Sequence, residues 1–466
     1  MTSVSGKPDK SGDGLRLRRG LLANALSLIL RIATQLGLLP LLFLFWSEAM
    51  IGRWLMLFSL PMIFQTVSTV FFAAASNHVL SEKSDPAVFR PIFRSSIVLA
   101  ATATLLLLLL AVASILALPF AGIVIDWSPE MLTALGIFAG YVVATLPLSA
   151  MEVPLRNAGR YPDHVVLQAT ATAAEAIAIA VCVVLGGAIV EAALAMLGAR
   201  IAFSVIAWLF ARPARSMRSE AGSSSVGQSW RAIVPPALGF MALPAVHALN
   251  LSGYTLLIGF AFSPIVLAGF VATRTIVRLL DLATNFLFAS QYYEAAHFAG
   301  SPIDRSDLLR RLFATTTSIT IIAASGFAAL LWLTGPMLQD WLTSGKTEFD
   351  RPVAMMLCLA ASLRLLSASP TALLSAVNRH VAFASIYLAF SITAFLIAVA
   401  LAFGGASLFT VCVLLVVAEL GQFVPALLSA TKAANTSPGA FVASLFSGQR
   451  FGDMQLFIKG LKRRKT

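Results

Sequence analysis

About twelve stretches of roughly 20 apolar residues recur along this chain of 466 residues, and each is long enough to cross the hydrocarbon core of a bilayer as a helix. They fall near residues 21–46, 54–79, 95–120, 131–154, 164–186, 189–211, 233–260, 265–292, 312–334, 352–376, 381–403 and 406–431. A chain that is 58% hydrophobic and only 12% charged cannot be packed as a soluble domain without leaving large apolar patches in water. Runs of this length solve the problem by facing lipid.

The placement of the charges fixes the topology. Of the 33 Lys and Arg residues, 25 lie in alternate connections and in the two tails, while the opposite side holds only Arg53, Lys346 and Arg351. The remaining five, Arg31, Arg200, Arg274, Arg278 and Arg364, fall inside spans. The positive-inside rule reads this asymmetry as an even number of helices with both termini cytoplasmic. It also accounts for the formal charge of +12 without nucleic acid, because basic helix ends meet anionic lipid heads. The N-terminus is basic before an apolar stretch, but that stretch is too long for a signal peptide and lacks a small-residue cleavage site, so it stays as the first helix. Cys182, Cys358 and Cys412 sit inside spans with no metal-ligand spacing, so neither disulfides nor a metal site is expected.

Residues 1–19 form a polar cytoplasmic tail, and residues 212–232, rich in Arg, Ser and Gly, form a linker that bisects the chain. Six spans in residues 20–211 face six in residues 233–432, followed by a basic cytoplasmic tail, 433–466. Within that tail, Phe441 to Thr466 reads as an interfacial amphipathic segment or a solvated tail. The halves share an internal repeat. Gly186-Gly187-Ala188 matches Gly404-Gly405-Ala406 at an offset of 218, the 157–160 loop matches 376–379 at 219, and Gly52 matches Gly269 at 217. Halves with an even number of spans share one orientation, so the predicted fold is all-α and integral to the membrane. Its twelve transmembrane helices form two six-helix bundles related by a pseudo-two-fold axis along the membrane normal, with a cleft between them.

An ionised side chain at mid-bilayer costs on the order of 2.5 to 3.5 kcal/mol, so each needs a partner or a wet cavity. Glu175 and Arg200 lie about halfway along adjacent spans and can meet across the Gly186-Gly187 turn. Arg364 can meet Glu419, which occupies the repeat position of Arg200. These four read as structural ion pairs, with Glu175 or Glu419 as the candidate coupling carboxylate of an antiporter. A second group lacks enough acid. Arg31 lies about 16 Å beyond Gly20 at helical rise, and Arg274 about 15 Å beyond Pro264 from the opposite face. Asn24, Ser27, Arg31 and Gln35 form one polar stripe, Arg274, Arg278, Asp281 and Asn285 a second, and His247, Asn250 and Tyr254 a third. Arg274 and Arg278, four apart, repel unless an anion or Asp281 bridges them. Three arginines against one aspartate predict a cationic cleft suited to phosphate, which arginine grips with two parallel hydrogen bonds.

Enzyme chemistry is missing. Ser344-Gly-Lys-Thr347 lacks the glycine that a phosphate loop requires, since Asp340 stands five residues before Gly345. No nucleotide-binding domain and no paired-carboxylate constellation of a lipid-dependent glycosyltransferase is present, and no cofactor is expected.

Gly20 and Asn24 opening the first span, Pro40 near its end, Gly52-Arg-Trp54 and the Asn157-Ala-Gly-Arg160 and Asn378-Arg-His380 loops carry a resemblance over nearly the whole chain. The chain resembles the polysaccharide flippases, the O-antigen (Wzx-type) group, of the multidrug/oligosaccharidyl-lipid/polysaccharide exporter superfamily. The resemblance implies that a polyprenyl-diphosphate-linked oligosaccharide is moved from the cytoplasmic to the outer leaflet by alternating access for surface polysaccharide biosynthesis (O-antigen, exopolysaccharide or capsule). Arg31, Arg274 and Arg278 would engage the diphosphate, and a polysaccharide polymerase or glycosyltransferases are candidate partner proteins. The chain departs from the related lipid II flippases in showing no sign of two further C-terminal spans. The alternative is an ion-coupled multidrug or metabolite antiporter of the same superfamily. The inferred cationic cleft argues against it, since its substrates are cations.

Overall fold

The computed structural model describes residues 10–81, 86–117, 128–212, 226–282, 284, 288, 291, 306–376, 381–447 and 452. Every element in them is helical. In chain order they are α1 Lys10–Phe45, α2 Glu48–Ser81, α3 Pro86–Ala117, α4 Pro129–Ala150, the short α5 Glu152–Asn157, α6 Tyr161–Val184 and α7 Ile189–Phe210. Then come α8 Val226–Ala248, a π-helical turn Leu249–Gly253, α9 Tyr254–Ala261, α10 Pro264–Val277, α11 Ser306–Thr343, α12 Arg351–Ala376, α13 Val381–Phe403, α14 Leu408–Ala433 and α15 Pro438–Leu445. Among the described residues, 11 helices are long and apolar enough to cross a membrane. The eighth expected span, 265–292, is represented by α10, which covers 14 residues, and much of its second half, with Asn285, lies outside the described residues. Two expected boundaries shift. Helix α1 already begins at Lys10, inside the expected tail, and α8 begins at Val226, inside the expected linker.

The chain divides into two compact units, residues 1–46 with 60–241, and residues 47–59 with 242–466. Two helices change unit, and α8 does so between Met241 and Ala242. Helix α2 changes unit between Ser59 and Leu60, beside Pro61, whose ring removes a ladder hydrogen bond within the helix.

In unit 1, α1 packs on α6, α4 on α7, α6 on α7 and α3 on α4. Its core gathers Val70, Phe72, Phe89, Ile92, Leu148, Met151 and Leu155. In unit 2, α12 and α13 pack on α14, α11 on α12, and α10 on both α11 and α12. Phe441 of α15 stacks on Phe313 with ring centroids 4.3 Å apart and is only 2% exposed, so this part of the C-terminal segment is docked into unit 2 and not laid on an interface. The outer faces are apolar: on α3, Leu105, Leu106, Leu109 and Leu110 are all exposed on one side, the spacing of a lipid-facing helix surface.

The hairpin turns between α6 and α7 and between α13 and α14 are built alike. Gly186 has φ +88° and Gly405 φ +86°, a left-handed conformation that glycine adopts at little cost when it ends a helix. The Gly187 amide donates to the Cys182 carbonyl, and the Ala406 amide to the Leu401 carbonyl, both at 2.9 Å. By conformation the repeat is therefore in register at 219 residues here, one more than matching the Gly-Gly-Ala letters indicates. Trp46, at the end of α1, donates from Nε1 to the Gly187 carbonyl at 2.9 Å and ties that turn to the first helix.

Candidate functional site

Among the described residues of unit 1, the buried Glu and Arg side chains form one cluster. Glu175 of α6 and Arg200 of α7 form an ion pair through Oε1 and Nε, and Arg200 Nη2 donates to Glu175 Oε2 at 2.9 Å. Tyr141 of α4 completes it, accepting from the same Nη2 at 2.9 Å and donating to Glu175 Oε2 at 3.1 Å. Arg200 is 2% exposed. A guanidinium so deeply buried is tolerable only with its carboxylate and further hydrogen bonds in place.

Unit 2 repeats the chemistry on a larger scale. Arg364 of α12 donates through Nε and Nη2 to Glu419 Oε1 of α14, at 3.2 and 2.5 Å, and through Nη1 to Asp281 Oδ1 at 3.0 Å. Tyr387 of α13 donates to Glu419 Oε2 at 2.9 Å, and Asn250 Nδ2 to Glu419 Oε1 at 3.1 Å. Three segments of the unit, α12, α13 and the π turn, thus converge on one fully buried carboxylate of α14. Two expectations are corrected here. Asp281, which with an anion was one of two possible bridges between Arg274 and Arg278, pairs with Arg364, and Asn250, expected to line the cationic cleft, is buried in the Glu419 cluster. The reason for the first is that α10 ends at Arg278, where the Asp281 amide closes a tighter turn onto the Arg278 carbonyl before the chain resumes a helical course over 279–282. The regular phase from Arg274 to Asp281 is thereby interrupted.

Arg274 also differs from its expected place. Its guanidinium donates to the main-chain carbonyls of Asn250 and Leu251, the latter at 2.8 Å, and to Thr255 Oγ1 at 3.4 Å. The π turn over Leu249–Gly253 breaks the regular helical ladder there, and a side chain that donates into it meets the exposed acceptors. Arg274 is 6% exposed, so it is a buried clamp on this turn and does not lie open to a ligand.

The other expected ligands are more accessible. Arg31 and Asn24 are exposed on α1, Gln35 is half-buried, and Ser27 is buried. Among the described residues no ion pair engages Arg31. In unit 2, His247 is exposed and Arg278 half-buried, and the charged neighbours of His247 are Arg364, Asp281, Glu419 and Arg278. The residues that the sequence reading missed are Tyr141 and Tyr387. The available signal was a phenolic hydroxyl in the middle of an apolar span, which must find a partner when buried. Among the described residues no group of His, Cys, Asp and Glu side chains could hold a metal ion.

No family model matches the sequence, and no curated protein matches it. Solved structures do. An inward-facing multidrug resistance MATE family transporter of the MOP superfamily is similar with a TM-score of 0.61 and 14% identity over 88% of this chain and 98% of that one. The lipid II flippase MurJ in an inward closed conformation gives 0.65 and 13% over 91% and 89%. A eukaryotic MATE transporter gives 0.56 and 14% over 91% and 99%. The chain has the fold of these proteins, and 11 of its described helices are long and apolar enough to cross a membrane. The proteins it is similar to are transporters and a flippase.

Proposed function

We propose that this protein is a flippase that carries a polyprenyl-diphosphate-linked oligosaccharide from the cytoplasmic to the outer leaflet of the bacterial inner membrane, for surface polysaccharide biosynthesis. The observation that carries this reading is the disposition of mid-span charge. Both carboxylates expected there, Glu175 and Glu419, are held by arginines of their own unit, whereas Arg31 stands exposed with no ion pair among the described residues. A transporter of cations needs an available carboxylate on its path; a transporter of a diphosphate needs an available guanidinium. In unit 1, Arg31 would take the diphosphate, with Asn24 and Gln35 of the same helix as neutral polar contacts; in unit 2, the half-buried Arg278 and exposed His247 are the candidate ligands, while Arg274 holds the π turn. Two six-helix bundles, residues 20–211 and 233–432, would alternate access between the leaflets, with both termini in the cytoplasm.

The second reading, an ion-coupled multidrug or metabolite antiporter, is favoured by the MATE-like fold. It would need Glu175 or Glu419 to leave its arginine during the cycle. The deciding experiment is a deletion in the native host with pulse-labelled lipid-linked oligosaccharide. Accumulation of the precursor on the inner leaflet together with loss of surface polymer is expected. Unchanged polysaccharide with new sensitivity to cationic drugs would move the assignment to the antiporter.

A further inference from the structure

A cavity of about 610 Å³ lies in unit 1 between residues 22–26 of α1 and the turn that joins α5 to α6. Leu22, Leu26 and Val166 line it with hydrocarbon, and Arg160 and Asp163 line it with one charge of each sign. The turn sets these charges: the Arg160 amide donates to the Leu155 carbonyl at 2.7 Å, and the Asp163 amide to the Arg160 carbonyl at 3.0 Å. Arg160 Nε bonds Asp163 Oδ2 at 2.7 Å, and the guanidinium rests 4.5 Å from the centre of the Phe210 ring.

That bond uses only part of either group. A guanidinium has five N–H donors and a carboxylate two oxygens. Arg160 Nη1 and Nη2 and Asp163 Oδ1 make no hydrogen bond among the described residues, and the side chains are 38% and 42% exposed. The level of the cavity is set by the membrane spans themselves, which begin at Leu22 and at Tyr161. A headgroup at that level would find the charges, and its acyl chain would find Leu22 and Leu26, exposed by 60% and 41% toward lipid.

We propose that this cavity binds one zwitterionic phospholipid of the phosphoethanolamine type. Its phosphate takes the two free Nη groups of Arg160 as a fork, and its ammonium takes Asp163 Oδ1. The sign balance selects this class. A purely anionic headgroup would meet Asp163 as well as Arg160, and a purely cationic one would meet the converse, so only a headgroup carrying both charges satisfies both walls. The volume lies within the range of ordinary ligand cavities, about 300–1,000 Å³, enough for a headgroup with the first part of a chain. The site is separate from the residues assigned to the transported diphosphate and stands whichever substrate is carried.

The test is native mass spectrometry of the purified full-length protein with phosphatidylethanolamine or phosphatidylglycerol added at equal concentration. Wild type is expected to retain phosphatidylethanolamine in preference. Arg160→Gln should lower that retention about tenfold, the effect of losing charge-assisted hydrogen bonds. Asp163→Asn should instead reverse the preference toward phosphatidylglycerol, a gain that unfolding cannot mimic. Leu26→Trp, which fills the apolar wall, should lower retention of both lipids. Equal retention of the two lipids by wild type, or a preference unchanged in Asp163→Asn, would overturn the proposal.

Discussion

Arg364 and Glu419 meet through a single carboxylate oxygen, to which Nε and Nη2 of the guanidinium both donate, while Tyr387 occupies the other oxygen. Unit 1 gathers the same three residue types, but there Arg200 engages both oxygens of Glu175 and also donates to Tyr141. Tyr141, Glu175 and Arg200 stand on the fourth, fifth and sixth spans, whereas Arg364, Tyr387 and Glu419 stand on the tenth, eleventh and twelfth expected spans. The order of the residues is permuted and the hydrogen bonds are drawn differently, yet each carboxylate keeps one arginine and one tyrosine. What matters to a buried charge is that its partners be present, not which helix supplies them.

The unit 1 pair predicts a non-additive mutant cycle. Arg200→Ala alone leaves Glu175 buried without its cation and should destabilise the protein by about 3–5 kcal/mol. Glu175→Ala together with Arg200→Ala removes both charges and should be milder than the single change. Thermal unfolding of the purified variants measures this. Additive losses would mean that the pair contributes independently of its partner.

Arg274→Lys should be nearly as damaging as Arg274→Ala to the stability of unit 2. A guanidinium reaches the Asn250 and Leu251 carbonyls together with separate Nη groups, and a single ammonium on a shorter arm does not reproduce that fork. Hydrogen exchange across Leu249–Gly253 should rise in both variants. A lysine variant with wild-type protection would refute the clamp.

At Arg31 charge should count more than shape. We expect Arg31→Ala to abolish transport with normal membrane insertion, and Arg31→Lys to keep part of it, since Arg31 is exposed and supports no described ion pair. Export of labelled lipid-linked oligosaccharide in a complemented deletion strain reads this directly. Full activity in Arg31→Ala would remove this residue from the substrate path.

Two glycines should answer a Cβ in opposite ways. At Gly52 an added Cβ would lie 2.1 Å from the Pro264 carbonyl oxygen, so Gly52→Ala must push α2 from the start of α10 and should cost about 1–3 kcal/mol. At Gly37 nothing lies within 4 Å, and Gly37→Ala should be neutral or stabilise α1 by up to about 1 kcal/mol. Melting temperatures of the two variants distinguish these signs, and equal shifts would contradict the close approach at Gly52.

Much of this molecule could be read before its tertiary structure. Chain length and apolar periodicity locate the spans, because bilayer thickness sets their length. Local rules reach the Gly186 and Gly405 turns, where a chain reversing between two helices needs a left-handed residue. They also mark Arg200, Glu175, Arg364 and Glu419 as residues that require partners, since an ionised group in hydrocarbon cannot stand alone. The choice of partner was beyond their reach. It depends on helix phase, and phase is lost wherever a helix stops or widens. Ending α10 at Arg278 turned Asp281 toward Arg364, and one π turn at Leu249–Gly253 carried Asn250 into the Glu419 cluster and opened carbonyls to Arg274. Sequence alone determined which charges the membrane would force to be satisfied; the packed helices decided which of them satisfy one another, because each such choice rests on a fraction of a helical turn that residue spacing does not encode.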